Sequence, residues 1–432
     1  MSDPSGASTP HFKTGSNQYA KKQGAPSLPA PPAGPLMEQM NQPPERPERT
    51  ERINKPQGPA TTQTKALGVA LQAGVPVMLW GLPGIGKTAV IEDFGELMGA
   101  HVETIIGSQY EPSDIAGQPW VVGDHLEHLP PEYAATIAAL PPGQMSLLFC
   151  DELDKAPPAV SAAMLRLVRE RKVAGIALPN TCKIVAAANP PELGGWDLSA
   201  PMANRFLHLQ WKPTAESIVQ GLGTGMWPGV EYTKVDEDEL VEARHRWHGL
   251  VAGFLSAHGQ MAHVMPKEES KQGLAWPSPR TWENLIRLGS YSDAMGQPQT
   301  VLAQLVHGSV GEGAGNEFLT FINNLDLPRS EDILKHPDQI DIPDRGDKAA
   351  VVCHSLAAAI VEKPTQERID AAIHYLERVS HGRHRDTVLP AMRTILSVVF
   401  NSGKFKIPQE DDVQRLVKSL FDVGLGNRAD KK

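Results

Sequence analysis

The sequence predicts an α/β fold, a five-stranded parallel sheet flanked by helices, followed by purely helical segments. Three observations carry that prediction. Between about residues 61 and 215, short apolar runs alternate with stretches of helical periodicity, the pattern of a parallel sheet covered on both faces. A glycine-rich turn ending in a lysine separates the first apolar run from the first helical stretch. Beyond about residue 215 the strand-like runs vanish and only helical periodicity remains.

Residues 1–59 hold 12 of the 38 prolines, interleaved with Gly, Ser, Gln and charge. Such a segment buries too little apolar area to offset the entropy of ordering, so it reads as a disordered Pro-rich leader. Val75–Trp80 is an apolar run stopped by Gly81, the signature of a buried strand. Thr88–Met98 carries Val90, Ile91, Phe94, Leu97 and Met98 at helical spacing and closes at Gly99. Val102–Ile106 and Ser146–Cys150 read as the second and third strands. Ala159–Arg171 follows as a helix with Val160, Met164, Leu167 and Val168 on one face. Cys182–Ala188 and Phe206–Trp211 complete the expected sheet. Later, 236–258, 280–295, 298–306 and 315–324 read as helices. An acidic, Pro-containing linker near 328–346 then leads to helices at 349–361, 366–379 and 387–399. The expected units are a leader at 1–59, an αβα core at 60–215, a helical lid at 216–330 and a C-terminal helical domain at 331–432.

Composition narrows the function. The chain of 432 residues has 41 Lys plus Arg against 50 Asp plus Glu, a net charge of −9. Proteins that neutralise many phosphates usually carry a basic excess, so nucleic acid is disfavoured as a partner. Three isolated cysteines without a CxxC pair exclude a disulfide scaffold and a cysteine zinc site, and fit a reducing cytosol. The start lacks a charged and then apolar leader, and no apolar run approaches the ~18–20 residues that cross a bilayer. A cytoplasmic protein with no membrane partner is therefore expected.

Gly81-Leu82-Pro83-Gly84-Ile85-Gly86-Lys87-Thr88 matches G-x-x-x-x-G-K-[ST] in full, with a strand before it and a helix after. The glycines let the backbone curl so that successive N–H groups face phosphate oxygens, and the helix adds the positive end of its dipole. Lys87 places a charge between the β- and γ-phosphates, and Thr88 offers a hydroxyl to Mg²⁺. The chain thus reads as a P-loop NTPase. About 60 residues later the strand Leu147–Cys150 delivers Asp151 and Glu152 at its C-terminal end, the edge where open α/β sheets bind ligands. Asp151 would hold Mg²⁺ through its water shell, while Glu152 would orient and polarise the attacking water. Asp154 and Lys155, just beyond, read as surface or interface residues. No [NT]KxD stretch follows a later strand, which favours ATP over GTP.

Together these residues resemble the MoxR-like branch of the AAA+ ATPases, related to the dynein-type modules, over roughly residues 61–290. Glu111–Gly117 looks like the branch's P-x-D-x-x-G element. Cys150–Pro158 is similar to A-D-E-I-N-R-A-P-P, with Asp154 and Lys155 replacing Asn and Arg, and Glu170–Val173 is similar to E-R-x-V. The resemblance implies that Asn189, at the end of the fourth strand, is sensor 1 and holds the lytic water. Ala203-Asn204-Arg205-Phe206 resembles L-D-R-F, which makes Arg205 the candidate arginine finger reaching a neighbour's nucleotide; Asn204 stands where the family has Asp. Ser278-Pro279-Arg280 resembles S-P-R at the sensor 2 position, so Arg280 would touch the γ-phosphate. Arg171 reads as structural. The resemblance further implies a homo-oligomeric ring, most often a hexamer. Its task would be chaperone-like remodelling or activation of a client protein, beside a partner with a von Willebrand A domain. A nucleic-acid motor on the same core is the alternative, and a non-hydrolysing scaffold is opposed by the intact Lys87, Asp151 and Glu152.

Two departures from the compact pattern stand out: an insert at 118–144, and a segment after about 331 without family motifs. His245, His248, His258 and His263 cluster without H-E-x-x-H, and their spacings fit ordinary helix surface better than a metal site. Gly221–Gly225 and Gly311–Gly315 follow no strand and read as loops rather than a dinucleotide site.

Overall fold

The computed structural model describes residues 57–420 apart from 123, 194–196, 324, 326 and 383. The expected disordered leader therefore lies outside the described residues, except for its last three. Of these, Gly58 donates its N–H to Trp227 O at 2.8 Å and accepts from Gly229 N at 3.0 Å.

Helix α1 (Thr62–Ala73) starts at Thr61, whose hydroxyl accepts from Thr64 N, and ends at Gly74. The core then alternates through β1 (Val77–Trp80), α2 (Lys87–Leu97), β2 (His101–Ile106) and α3 (Pro112–Ala116). The 118–144 insert follows as a hairpin, β3 (Gln118–Val122) with β4 (His125–Leu129), and a short helix α4 (Glu132–Ala139). Next come β5 (Ser146–Asp151) and α5 (Pro158–Glu170), then the two-residue strands β6 (Lys172–Val173) and β7 (Ile176–Ala177). Strand β8 (Cys182–Ala188), helix α6 (Ala200–Ala203) and strand β9 (Leu207–Gln210) complete the core. The main sheet has the order β2-β5-β8-β1-β9 and is parallel throughout, as the alternation of apolar runs predicts. The phosphate-loop strand β1 lies between β8 and β9, while β8 separates it from the acidic strand β5.

The near-continuous apolar strands are explained by burial on both sides. Met78 and Trp80 of β1, Leu148 and Cys150 of β5, and Ile184 and Ala186 of β8 pack into one core. Their neighbours Val77, Leu79, Leu147, Phe149, Val185 and Ala187 pack into the other. A two-residue side-chain period delivers this split automatically. Because all five strands run the same way, every C-terminal end reaches one edge of the sheet.

After the sheet come α7 (Ala215–Thr224), α8 (Glu237–Ala257), α9 (Glu269–Gln272), α10 (Pro279–Ala294) and α11 (Gln299–Ile322). Helices α12 (Ser330–Lys335), α13 (Gly346–Glu362), α14 (Gln366–Ser380), α15 (Arg385–Ser402) and α16 (Asp411–Leu420) complete the described chain. Aromatic residues of α8, α10 and α11 form one core: Phe254 lies 5.5 Å from Trp282 and 5.3 Å from Phe318, ring centre to ring centre. A separate core, including Leu356, Ile373, Tyr375 and Met392, unites α13–α15. Among the described residues, no helix is long and apolar enough to cross a membrane.

Of the two glycine-rich stretches read as loops, the first is mostly helical and the second starts at a kink between two helical stretches. Gly221–Thr224 belongs to α7, which Gly225 ends in the left-handed conformation. Gly311–Gly315 lies within α11, and the helices expected at 298–306 and 315–324 are one segment broken only at Gly311, with φ 78° and ψ 166°. A Cβ at Gly311 would stand 2.8 Å from Ala275 O. Glycine is needed there both for the backbone angle and for the close approach.

Candidate functional site

The site is built on the C-terminal edge of the sheet. Gly81, just past β1, donates its N–H to Ala188 O at 3.1 Å, which ties the phosphate loop to the end of β8. Gly84 and Gly86 take positive φ values of 78° and 88°, and Gly86 is the cap residue from which α2 springs. These are backbone angles that side-chain-bearing residues rarely adopt, so the loop Gly81–Thr88 curls as the motif requires. Leu82 is exposed, and Pro83 and Ile85 lie between the glycines. Lys87 Nζ folds over the loop and donates to Gly81 O at 2.5 Å and Leu82 O at 3.0 Å. Burial holds its ammonium below the usual lysine range, against the opposing pull of Asp151 and Asp154.

The acidic strand meets this loop directly. Thr88 donates its hydroxyl to Asp151 Oδ2 at 3.3 Å, although 63 residues separate them. Adjacent ligand oxygens around Mg²⁺ stand about 2.9 Å apart, from ~2.1 Å bonds in an octahedron. The hydroxyl and carboxylate are hard-oxygen donors of the kind that ion takes, standing at 3.3 Å, about 0.4 Å wider than two adjacent ligands. Asp151 Oδ1 accepts from Glu152 N at 2.8 Å. Glu152 itself sits at φ 52°, an uncommon left-handed conformation for a non-glycine residue and one that clusters at functional sites. Its carboxylate accepts from the Ser108 hydroxyl and from Lys155 Nζ, the latter at 3.1 Å. Those two donors, Ser108 first, hold it below the usual carboxylate range.

Asn189, one residue past β8, donates from Nδ2 to Asp154 Oδ2 at 3.1 Å. Asp154 is only 3% exposed, and its Oδ1 has no hydrogen-bond partner. The expectation of a surface role is thus overturned for Asp154. The 3₁₀ turn Leu153–Lys155 folds it inward, beneath the amide it orients. Lys155 remains exposed, but on Glu152. Arg171 donates to Pro179 O at 2.9 Å and Cys182 O at 2.5 Å, bracing the entry to β8.

Arg205 and Arg280 form a second group. Asn204 Oδ1 accepts from Ser278 Oγ at 2.8 Å and from Arg280 NH1 at 3.2 Å. Arg205 NH1 donates to Pro201 O. Burial first, then the charges of Arg280 and Arg169, holds the Arg205 guanidinium below its ordinary value. Among the described residues, neither Arg205 nor Arg280 hydrogen-bonds the phosphate loop. The structure brings Lys87, Thr88, Asp151, Glu152 and Asn189 to one edge and gathers Arg205 with Arg280 about Asn204.

Sequence reasoning missed Ser108, Asp154 as the partner of Asn189, and His208. His208 is buried on β9, where its Nδ1 accepts from Trp80 Nε1 at 2.9 Å and its Nε2 donates to Ala203 O at 2.9 Å. The imidazole therefore links the end of β1 to the turn that carries Asn204 and Arg205. Only the Asn189 register held a signal for Asp154; nothing in the sequence marked Ser108 or His208. His245, expected on a helix surface, is also buried, at 1% exposure.

Residues 76–206 match the model of the AAA domain family, dynein-related subfamily. The chaperone MoxR1 of Mycobacterium tuberculosis is 28% identical over 137 residues, which make up 30% of this chain and 34% of that protein. The match therefore spans about a third of that relative's length. Among solved structures, a candidate ATPase from Cytophaga hutchinsonii aligns with 62% of this chain and 91% of its own, at 14% identity and a TM-score of 0.40. A full-length MCM homologue from Methanopyrus kandleri aligns with 57% of this chain and 55% of its own, at 18% identity and a TM-score of 0.30.

Proposed function

We infer that this chain, whose residues 76–206 match the dynein-related AAA domain family and which is similar to the chaperone MoxR1 over 137 residues, is a MoxR-like AAA+ enzyme that hydrolyses ATP to ADP and phosphate and couples turnover to remodelling or activating a client protein. The observation that carries this reading is the 3.3 Å link between Thr88 and Asp151. It sets the phosphate loop beside the acidic strand end, with Glu152 next in the chain. In this reading the loop amides of Gly81–Thr88 and the Lys87 ammonium hold the β- and γ-phosphates. Thr88 and Asp151 hold Mg²⁺, which when bound screens the phosphate charge.

Glu152 is ionised at neutral pH, so it can accept a hydrogen bond from the attacking water once Ser108 or Lys155 releases one of its oxygens. Asp154 fixes the Asn189 amide, which then steadies the same water. Arg205 acts across a subunit boundary on a neighbour's γ-phosphate, and Arg280 couples the lid to nucleotide state through Asn204. A guanidinium so placed stabilises the charge that develops during phosphoryl transfer. This division of labour requires a homo-oligomeric ring, which we take to be a hexamer. The exposed apolar hairpin of β3 and β4, with Trp120, Val121, Leu126 and Leu129, is a suitable client contact. A von Willebrand A domain protein is the expected partner. The cytoplasm is the expected setting, in keeping with free, buried Cys150, Cys182 and Cys353.

The test is phosphate release from ATP with and without Mg²⁺, in the wild type and in Glu152→Gln. The wild type should turn over only with magnesium, whereas Glu152→Gln should bind ATP with undiminished affinity and lose at least ~100-fold in turnover, within the range of general acid–base contributions. Full turnover in Glu152→Gln would remove that carboxylate from the mechanism.

A further inference from the structure

Away from the sheet edge, α8 and α12 enclose a second cluster. Glu242 and His245 stand one turn apart on α8, and Glu331 faces them from the start of α12. One ligand-capable atom from each lies within 4.8 Å of the others. Glu242 is 8% exposed and His245 1%. His245 Nδ1 and Glu242 Oε2 face each other at 3.9 Å, too far for a hydrogen bond, and neither has another hydrogen-bond partner. Two buried polar atoms thus point into the same small space with their bonding capacity unspent.

The surroundings fix which form of each group points there. His245 Nε2 lies 2.9 Å from Glu362 Oε2. A carboxylate only accepts, so Nε2 carries a hydrogen and Nδ1 is the ring atom turned to Glu242. Glu242 Oε1 accepts from Ser330 N at 2.8 Å, which leaves Oε2 for the cluster. Glu331 Oε2 accepts from Arg368 NH1 at 2.8 Å. Each of the three side chains is therefore oriented by an outer partner, as carboxylate and amide neighbours orient metal ligands. The charges close by are Glu242, Glu331 and Glu362 against Arg244, on Glu362 at 2.5 Å, Arg368 on Glu331, and Arg329 near Glu242.

We propose that Glu242, His245 and Glu331 form a divalent transition-metal site that pins the long lid helix α8 to the C-terminal helices at α12. One imidazole with two carboxylates suits zinc; magnesium and calcium prefer oxygen alone. With zinc–ligand bonds of ~2.0–2.1 Å in a tetrahedron, two ligands of one ion stand about 3.3–3.4 Å apart. The 3.9 Å pair stands about half an ångström outside that spacing. A bound ion would draw the three together, and Glu331, the most exposed of them, makes the largest side-chain adjustment.

The experiment is calorimetric titration of chelator-stripped, nucleotide-free full chain with zinc chloride alone, with circular dichroism to verify folding. Parallel titrations use Glu331→Gln, His245→Asn and His381→Ala, the last disrupting the exposed Glu377, His381 and Asp412 group. One zinc equivalent per chain, weakened at least tenfold in Glu331→Gln and His245→Asn but retained in His381→Ala, is the expected result. Should His245→Asn fail to fold, the half-exposed Glu331→Gln decides alone. Absence of binding, or binding unchanged in Glu331→Gln or lost only in His381→Ala, would overturn the site.

Discussion

Acidification tests the buried bridge formed by His208. The imidazole accepts from Trp80 and donates to Ala203, so it must be neutral, and burial pushes its pKa down from 6.5 to about 4. The unfolded chain takes up a proton there before the folded one does. Stability from this residue is therefore complete above about pH 6.5 and is lost as pH falls toward 4. The gap corresponds to on the order of 3 kcal/mol, of which about 2 kcal/mol disappears between about pH 7 and pH 5. Urea unfolding at a series of pH values, followed by tryptophan fluorescence, reads this directly. The comparison is His208→Gln, which does not titrate and whose amide can still partner Trp80 or Ala203. His248 and His354, also pushed down by burial, titrate in both proteins and cancel in the difference. The variant should be less stable at pH 7 yet lose about 2 kcal/mol less on acidification. Identical pH profiles for the two proteins would refute the buried neutral bridge.

Lys87→Ala should abolish Mg·ATP binding by calorimetry; tight affinity retained in that variant would contradict the cradle assigned to Gly81–Thr88. Arg205→Ala subunits mixed with Glu152→Gln subunits should recover part of the turnover that each lacks alone, because intact fingers then meet intact sites. No recovery at any mixing ratio would place Arg205 outside the neighbour's site. A Cβ at Gly249 of α8 would stand 2.0 Å from Ser355 Oγ and 2.5 Å from Val351 O of α13. Gly249→Val should therefore destabilise the chain by about 1–3 kcal/mol in urea unfolding, and an unchanged midpoint would show that these helices are not so tightly apposed.

Residue order alone determined the parallel sheet, its five strands and the phosphate loop, because each is written in local terms. Strands buried on both faces must read as apolar runs, such as Val77–Trp80 and Leu147–Cys150, and the loop needs glycine at 84 and 86 whatever surrounds it. The pairing of Thr88 with Asp151 was legible for the same reason: both follow strands whose ends must share one edge. Tertiary structure decided what depends on distant neighbours. Asp154 looks like a surface acid in sequence, yet a 3₁₀ turn folds it beneath Asn189. Gly311–Gly315 looks like a loop, yet only Gly311, close against Ala275 O, leaves helical geometry, and the residues after it continue α11. The Glu242, His245 and Glu331 cluster joins residues almost 90 positions apart on helices whose separate patterns carry no sign of each other. A side chain's burial and partners are set by whichever element arrives opposite it, and no local period records that.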